Sequence, residues 1–68
     1  MIRGTVRFFR PEDGYGCITP ARGGSDTDVY MAAVRIAGLE TLLQDQRLRY
    51  DVSIDRNGRI SAINLELA

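Results

Sequence analysis

The sequence predicts an all-β domain in which five short strands close into a small barrel. Strand-like segments recur at short spacing with turn residues between them, one segment alternates strictly, and a tight hairpin signal precedes the last segment. Because 68 residues are too few to cover both faces of a sheet with helices, we expect the sheet to close on itself. We therefore expect a single domain over residues 1–68.

Three strands are predicted in the first half of the chain. Residues 2–10 are rich in β-branched and aromatic types, residues 15–19 form a second short strand, and residues 27–31 alternate between two faces. Glycine and aspartate cluster with proline or serine at residues 11–14 and 23–26, which predicts turns there. The first half is therefore expected to consist of short strands joined by tight turns.

The second half begins with a longer connection and ends in a hairpin. Gly38 interrupts a stretch rich in alanine and leucine, so we expect one helical turn at residues 32–36 followed by a loop. Residues 47–54 alternate with a period of two, which predicts the clearest strand of the chain. The Asn-Gly pair at residues 57–58 is a strong hairpin signal, and residues 59–66 return as the last strand.

This order of elements predicts a five-stranded antiparallel Greek-key barrel, the architecture called the oligonucleotide-binding fold. An SH3-like barrel has a similar length and strand count, and it stays open as an alternative because periodicity does not separate the two. The residues expected to fill the barrel are Val6, Ile18, Val29, Leu48, Tyr50, Val52, Ile60 or Ile63, and Leu65.

The composition argues against a catalytic or metal-dependent protein. The chain has no histidine and a single cysteine, Cys17, so it lacks the commonest general base, a Cys/His zinc site and an intrachain disulfide. We expect no enzyme activity, no cofactor, no metal and no small-molecule substrate. A lone thiol fits a reducing compartment, and the N-terminal residues MIRGTVRF contain no apolar signal segment. We therefore expect a cytoplasmic protein without membrane association.

The charge balance bears on nucleic-acid binding. Nine basic and nine acidic residues give zero formal net charge, which counts against strong binding of phosphates, although a local basic face is not excluded. All nine basic residues are arginines, and arginine both stacks on bases and forms paired hydrogen bonds to phosphates. A coding bias towards high GC content would give the same composition.

Residues 4–20, GTVRFFRPEDGYGCITP, resemble the opening of bacterial cold-shock proteins, which reads roughly G-T-V-K-(W/F)-F-N-x-x-K-G-(F/Y)-G-F-I-x-P. Later segments, among them GGSD, AAV and QRLRYDV, fall in register with the same family, and the resemblance extends over essentially the whole chain. It implies the cold-shock type of barrel. In that family, two strands carry outward aromatic side chains on which single-stranded bases stack.

The resemblance also implies which residues bind. Arg7 replaces a lysine of the family motif, and Phe9 is equally compatible with the stacking surface and with the barrel core. The candidate nucleic-acid-binding residues are Arg7, Phe8, Phe9, Tyr15 and Tyr30, with Arg3 and Arg10 as candidate phosphate partners.

Several positions depart from the family pattern. In the first motif, Asp13 replaces a lysine and Cys17 replaces a phenylalanine. The second motif, D-V-F-V-H-F-S-A in the family, aligns without gaps on residues 26–33, which puts Asp28 at the stacking phenylalanine and Tyr30 at the histidine. A gapped alternative gives Tyr30 the stacking position. Either alignment predicts fewer stacking rings than the family has.

The resemblance therefore predicts binding of single-stranded RNA or DNA, as family members do when they act as RNA chaperones or as regulators of transcription and translation. The lost rings and added aspartates predict weaker binding than is typical. The alternative is a barrel that docks onto a protein partner, with Cys17, Met31 and Leu39 forming a modest apolar patch. Asp45 stands where the family tends to have glycine in a tight turn, and aspartate tolerates a left-handed backbone better than most residues.

Overall fold

The computed structural model describes residues 1–68, in which five strands and one short helix form a closed barrel. Around the barrel the strands follow the order β1-β2-β3-β5-β4. The predicted five-stranded all-β barrel is confirmed, and each predicted element begins and ends within one residue of its expected bounds. The elements are β1 (Ile2–Arg10), β2 (Tyr15–Pro20), β3 (Thr27–Tyr30), α1 (Met31–Ile36), β4 (Arg47–Ile54) and β5 (Ile60–Leu67).

One of the five strand pairings is parallel. The pairs β1–β2, β1–β4, β2–β3 and β4–β5 are antiparallel, whereas β3 and β5 run in the same direction and meet at Asp28 and Ser61. The expected antiparallel Greek-key barrel therefore contains one parallel pairing, at the β3–β5 junction where the ring closes. The reason is geometric, because strand direction cannot alternate all the way around a closed ring with an odd number of strands.

β1 is the longest strand because it pairs with two partners. Its residues 2–5 pair with β4 and its residues 4–10 pair with β2. Gly4 lies where the two pairings overlap, and a Cβ there would lie 2.7 Å from Cγ2 of Ile18 and 2.9 Å from Cε1 of Tyr50. Glycine at this position therefore lets two core side chains pack directly beneath the strand.

The core fills the interior of the barrel and contains six of the residues that the alternation predicts. Its nine members are Val6, Ile18, Val29, Val34, Leu42, Leu48, Tyr50, Ala62 and Leu65. Val34 and Leu42 come from the connection between β3 and β4, which has no strand period from which to assign them. The helix α1 in that connection has six residues, and no helix in the structure is long and apolar enough to cross a bilayer.

Val52 and Ile60 are not core residues, and the prediction for them is wrong. Val52 is 40% exposed and Ile60 is 48% exposed. β1 covers β4 only as far as Tyr50, so the far end of the β4–β5 hairpin extends beyond the barrel and its inward face meets solvent. The other candidate, Ile63, is only half-buried, and Ala62 takes the inward position instead.

Two tight turns rely on a left-handed backbone. Asp45 has a φ of 68°, and its amide donates a 2.8 Å hydrogen bond to the carbonyl of Val6, which fits the tolerance expected of aspartate. In the predicted β4–β5 hairpin, Gly58 has a φ of 79° and donates its amide to the carbonyl of Asp55 at 3.0 Å. Asn57 does not take a positive φ, so the hairpin has a longer loop than a two-residue type I′ turn.

Candidate nucleic-acid interface

The outer face of β1, β2 and β3 carries most of the candidate binding residues. Along β2 the side chains alternate, so that Gly16 and Ile18 are buried while Tyr15 and Cys17 point outward. The register between β1 and β2 shifts just before Phe8, and after this irregularity Phe8 is the partner of Cys17. Phe8 therefore lies on the same outer face as Tyr15.

Three aromatic side chains on this face form a cluster that we call the ring platform: Phe8, Tyr15 and Tyr30. The rings of Phe8 and Tyr15 meet edge to face, with centroids 6.1 Å apart and an interplanar angle of 82°. Tyr30 is the direct partner of Tyr15 in the β2–β3 pairing. Tyr15 is 38% exposed and Tyr30 is 44% exposed, so both present ring area to a ligand. Exposed aromatic rings on a sheet are the kind of side chain on which single-strand-binding proteins stack unpaired bases.

Phe9 lies on the opposite face of β1 from the ring platform. Its side chain is partly buried and packs against the core. A Cβ at Gly16 would lie 2.8 Å from Cδ1 of Phe9 and 2.2 Å from the carbonyl oxygen of Phe8, so only glycine permits this close approach of β2 to β1. Phe9 therefore supports the strand that carries Phe8 and does not extend the ring platform.

The two candidate phosphate partners lie at opposite ends of β1. The guanidinium of Arg10 lies 5.3 Å from the centroid of the Phe8 ring, a cation–π arrangement that brings positive charge to the ring platform. Arg3 lies at the other end of the strand, where it is the partner of Arg49 on β4. The structure thus brings Arg10 to the rings and leaves Arg3 on a different part of the barrel.

Arg7 forms an ion pair with Asp26 across the outer face of the barrel. Its Nη1 donates a 2.7 Å hydrogen bond to Oδ2 of Asp26, and the hydroxyl of Thr19 donates to Oδ1 of the same carboxylate at 2.9 Å. The hydrogen bond from Arg7, followed by that from Thr19, lowers the pKa of the Asp26 carboxyl below its ordinary value. No local pattern could reveal this pair, because its members are 19 positions apart.

Cys17 and Asp28 occupy the outer face beside the ring platform. They are direct partners in the β2–β3 pairing, and the thiol donates to Oδ1 of Asp28 at 3.6 Å. Partial burial, and then the charge and the hydrogen bond of Asp28, raise the pKa of the Cys17 thiol. This face therefore has a protonated thiol and a carboxylate at these two positions, and neither side chain is a ring on which a base can stack.

The residues expected to form an apolar patch for the protein-docking alternative are only partly exposed. Cys17, Met31 and Leu39 are all half-buried, and Met31 and Leu39 also pack against the core, so the three offer little apolar area to a partner. Three of the six exposed large apolar side chains of the second half lie at the far end of the β4–β5 hairpin, where Ile54 is 66% exposed and its cross-strand partner Ile60 is 48% exposed.

The barrel and its outward rings define the class of protein as an oligonucleotide-binding barrel. The family model described as "'Cold-shock' DNA-binding domain" matches residues 2–68. The chain belongs to this cold-shock domain family, and nucleic-acid binding of the cold-shock type follows from that membership.

Individual relatives agree with the family match. "Cold shock protein CspA" of Rhizobium meliloti (strain 1021) is 39% identical over 69 residues, covering 100% of both chains. "Cold shock-like protein CspA" of Rickettsia bellii (strain RML369-C) is 41% identical over 66 residues, which is 97% of this chain and 93% of that protein. "Cold shock domain-containing protein 4" of Arabidopsis thaliana is 36% identical over 63 residues. That match covers 93% of this chain but only 31% of the plant protein.

Proposed function

We propose that the protein binds single-stranded RNA or DNA by stacking unpaired bases on the ring platform, and that it acts as an RNA chaperone or a regulator of transcription or translation. The observation that carries this proposal is the edge-to-face pair of Phe8 and Tyr15 beside the exposed ring of Tyr30. Every base has a π-face, so stacking demands little of the sequence and contributes about 1–3 kcal/mol per base. Binding is therefore of low sequence specificity.

The affinity is lower than that of a barrel with a complete set of stacking rings. Cys17 and Asp28 lie on the same outer face and offer no ring to a base. Two missing stacking positions correspond to about 2–6 kcal/mol at the usual contribution of each ring. The carboxylate of Asp28 also repels phosphate groups, which carry the same sign of charge.

Few cations at the ring platform are free to neutralise phosphates. Arg10 lies over the Phe8 ring, next to the position of a stacked base. Arg7 is 66% exposed and so is accessible, but its charge is shared with Asp26. Each phosphate neutralised by a protein cation makes the affinity depend more steeply on salt concentration. Because few cations are free here, the affinity of the ring platform for oligonucleotides depends only weakly on salt.

The proposed activity is binding, without a catalytic step, a cofactor or a small-molecule substrate. The chain contains no histidine to act as a general base. Its one thiol has a raised pKa, which is the opposite of what a nucleophilic cysteine requires.

Titration of the protein with labelled heptathymidine and heptauridine at low salt tests the proposal. The chain has no tryptophan, so fluorescence anisotropy of the label is the readout. The double variant Phe8→Ala/Tyr15→Ala removes the paired rings, and we expect its affinity to fall by at least about tenfold, since each ring contributes roughly 1–3 kcal/mol. Its far-ultraviolet circular dichroism should match that of the unaltered protein.

The matched control is Ile36→Ala/Leu43→Ala, which removes two exposed apolar side chains outside the platform strands. We expect this control to bind as the unaltered protein does. Equal affinity of the Phe8/Tyr15 variant and the control would show that the site assignment is wrong. Undetectable binding of either oligonucleotide by the unaltered protein at millimolar concentration would favour the protein-docking alternative.

A further inference from the structure

A second surface of the barrel is lined by arginines and lies apart from the ring platform. An open groove of about 640 Å³ runs over the outer face of β1 and β4, and its charged lining residues are Arg3, Arg47 and Arg49. A neighbouring groove of about 580 Å³ shares Arg3 and Ala21 with the first and adds Arg22. Four of the nine basic residues of the chain therefore line two adjoining grooves.

The strand register holds these arginines close together. Arg3 is the direct partner of Arg49 in the β1–β4 pairing, and Arg47 lies two positions along β4 on the same outward face, opposite Thr5. Side chains that are directly opposite in an antiparallel pair have Cβ atoms about 4.5–5.5 Å apart, and like charges at that distance destabilise the sheet. A bound anion among the three guanidinium groups would remove this repulsion.

No acidic side chain lines either groove. Glu66 forms an ion pair with Arg49 at 3.4 Å, and both side chains are about half exposed, so the pair is open to solvent. Arg3 and Arg47 form no ion pair in the structure. A chain of zero formal net charge therefore carries a local positive surface at this groove.

We propose that the groove lined by Arg3, Arg47 and Arg49 binds backbone phosphates of a nucleic-acid strand, beyond the segment that stacks on the ring platform. This inference rests on the proposed function and extends it to a second surface. Arginine suits the role because its planar guanidinium presents paired donors that match phosphate oxygens.

β1 connects the two surfaces. Arg3 and Phe8 are five residues apart on this strand, which is about 17 Å at the rise of an extended chain. Thr5 and Arg7 alternate between them on the outer face, so no apolar side chain separates the rings from the groove along that face. A strand stacked on the ring platform therefore needs only a few further nucleotides to bring phosphates over the arginines.

Oligothymidines of two lengths test the proposal, read as amide chemical shifts and as anisotropy over a range of salt concentrations. Tetrathymidine is short enough to occupy the ring platform alone, whereas a strand of about eighteen nucleotides reaches the groove. We expect both strands to shift amides of Tyr15 and Tyr30, and only the longer one to shift amides around Arg3 and Leu48. We also expect a steeper salt dependence for the longer strand.

The double variant Arg47→Gln/Arg49→Gln removes two of the cations and leaves the ring platform unchanged. We expect its affinity for tetrathymidine to equal that of the unaltered protein. For the longer strand, the slope of log affinity against log salt should become shallower by about 1.4, since each phosphate contact to a single strand contributes about 0.7. Because a longer strand has more ways to bind, the comparison is always between variants on the same strand.

Two single variants serve as controls with opposite expectations. Arg35→Gln removes the same charge from α1, outside both grooves, and should leave the salt slope for the longer strand unchanged. Glu66→Gln releases Arg49 from its ion pair and should tighten binding of the longer strand.

Three outcomes would overturn the inference. The first is a salt slope for the longer strand that stays unchanged in Arg47→Gln/Arg49→Gln. The second is a salt slope that becomes shallower in Arg35→Gln by as much as it does in Arg47→Gln/Arg49→Gln. The third is a shift of the groove amides by inorganic tripolyphosphate but not by the longer strand, which would assign the groove to free polyphosphates. Failure of tetrathymidine to bind the unaltered protein would instead contradict the proposed function, so the two failures are distinguishable.

Discussion

The thiol of Cys17 and the carboxylate of Asp28 lie 3.6 Å apart at directly opposed positions of β2 and β3. Cys17 is also the partner of Phe8 in β1, so these three residues form one row across the outer face. The neighbouring row contains Arg10, Tyr15 and Tyr30. One row is therefore aromatic over two strands, whereas the other has a ring only on β1.

Restoring rings in the poorer row should strengthen nucleic-acid binding. We expect Cys17→Phe and Asp28→Phe each to tighten binding of heptathymidine by about 1–3 kcal/mol, the usual contribution of a stacked base. Anisotropy titration at fixed salt measures the change. Asp28→Asn removes the charge without adding a ring and should give a smaller gain. Equal affinities of the Asn and Phe variants would contradict a stacking role for this row.

The Arg7–Asp26 ion pair should make stability depend on acid pH. Because the hydrogen bonds from Arg7 and Thr19 lower the pKa of Asp26 in the folded state, the pair stabilises the fold above the pKa of the unfolded chain. That stabilisation is lost as the pH falls through the folded pKa, below about pH 4. We expect the NMR titration of the Asp26 carboxyl to move to higher pH in Arg7→Gln, and acid unfolding of this variant to be less steep. An unchanged Asp26 titration would contradict the ion pair.

Replacement of Asp45 by glycine should stabilise the fold. Asp45 has a φ of 68°, a conformation that strains most side chains but not glycine. We expect Asp45→Gly to raise the free energy of unfolding by up to about 1 kcal/mol, measured by urea denaturation, because relief of strain exceeds the added flexibility of the unfolded chain. Asp45→Ala should lower it. If Asp45→Gly is less stable than the unaltered protein, the stabilisation by the aspartate side chain exceeds the destabilisation by its backbone strain, which would contradict this prediction.

The hydroxyl of Tyr50 should be dispensable for folding. Tyr50 is fully buried in the core, and its hydroxyl has no hydrogen-bond partner. Desolvation of an unpaired polar group is unfavourable, so we expect Tyr50→Phe to raise the free energy of unfolding by about 1 kcal/mol. Tyr50→Ala should instead destabilise the barrel by about 3–5 kcal/mol through the cavity it leaves. Thermal and urea unfolding of the three proteins measure both effects, and loss of stability in the Phe variant would contradict the expectation.

The alternation of residue types predicted most of the fold because it is a local property of each strand. Leu48 and Tyr50 face the core as expected, and the same logic correctly gave Ile18 an inward position. Alternation failed for Val52, which has the right period but lies beyond the part of β4 that β1 covers. Whether an inward-facing side chain is buried depends on which other segments of the chain pack over it, and the sequence of the strand does not indicate that.

The candidate site also combines features that the local sequence predicted with features that depend on strand register or on distant contacts. The motif around Phe8 and Tyr15 was sufficient to propose aromatic stacking, and the pairing of β1 with β2 brings those two rings into contact. Phe9 could not be assigned from its sequence neighbours, because the register irregularity in β1 decides which of two adjacent phenylalanines faces outward. The Arg7–Asp26 pair had no sequence signal at all.

Local sequence patterns were enough to predict the number and bounds of the strands and the clustering of aromatic residues near the N-terminus, and the family resemblance added the tight turn at Asp45. The pairing of Asp26 with Arg7 and the gathering of Arg3, Arg47 and Arg49 on one face follow from the folded barrel alone. The physical reason is range. Backbone preference and alternation act between near neighbours in the chain, whereas charge pairing, burial and groove formation depend on which distant segments the closed barrel brings together.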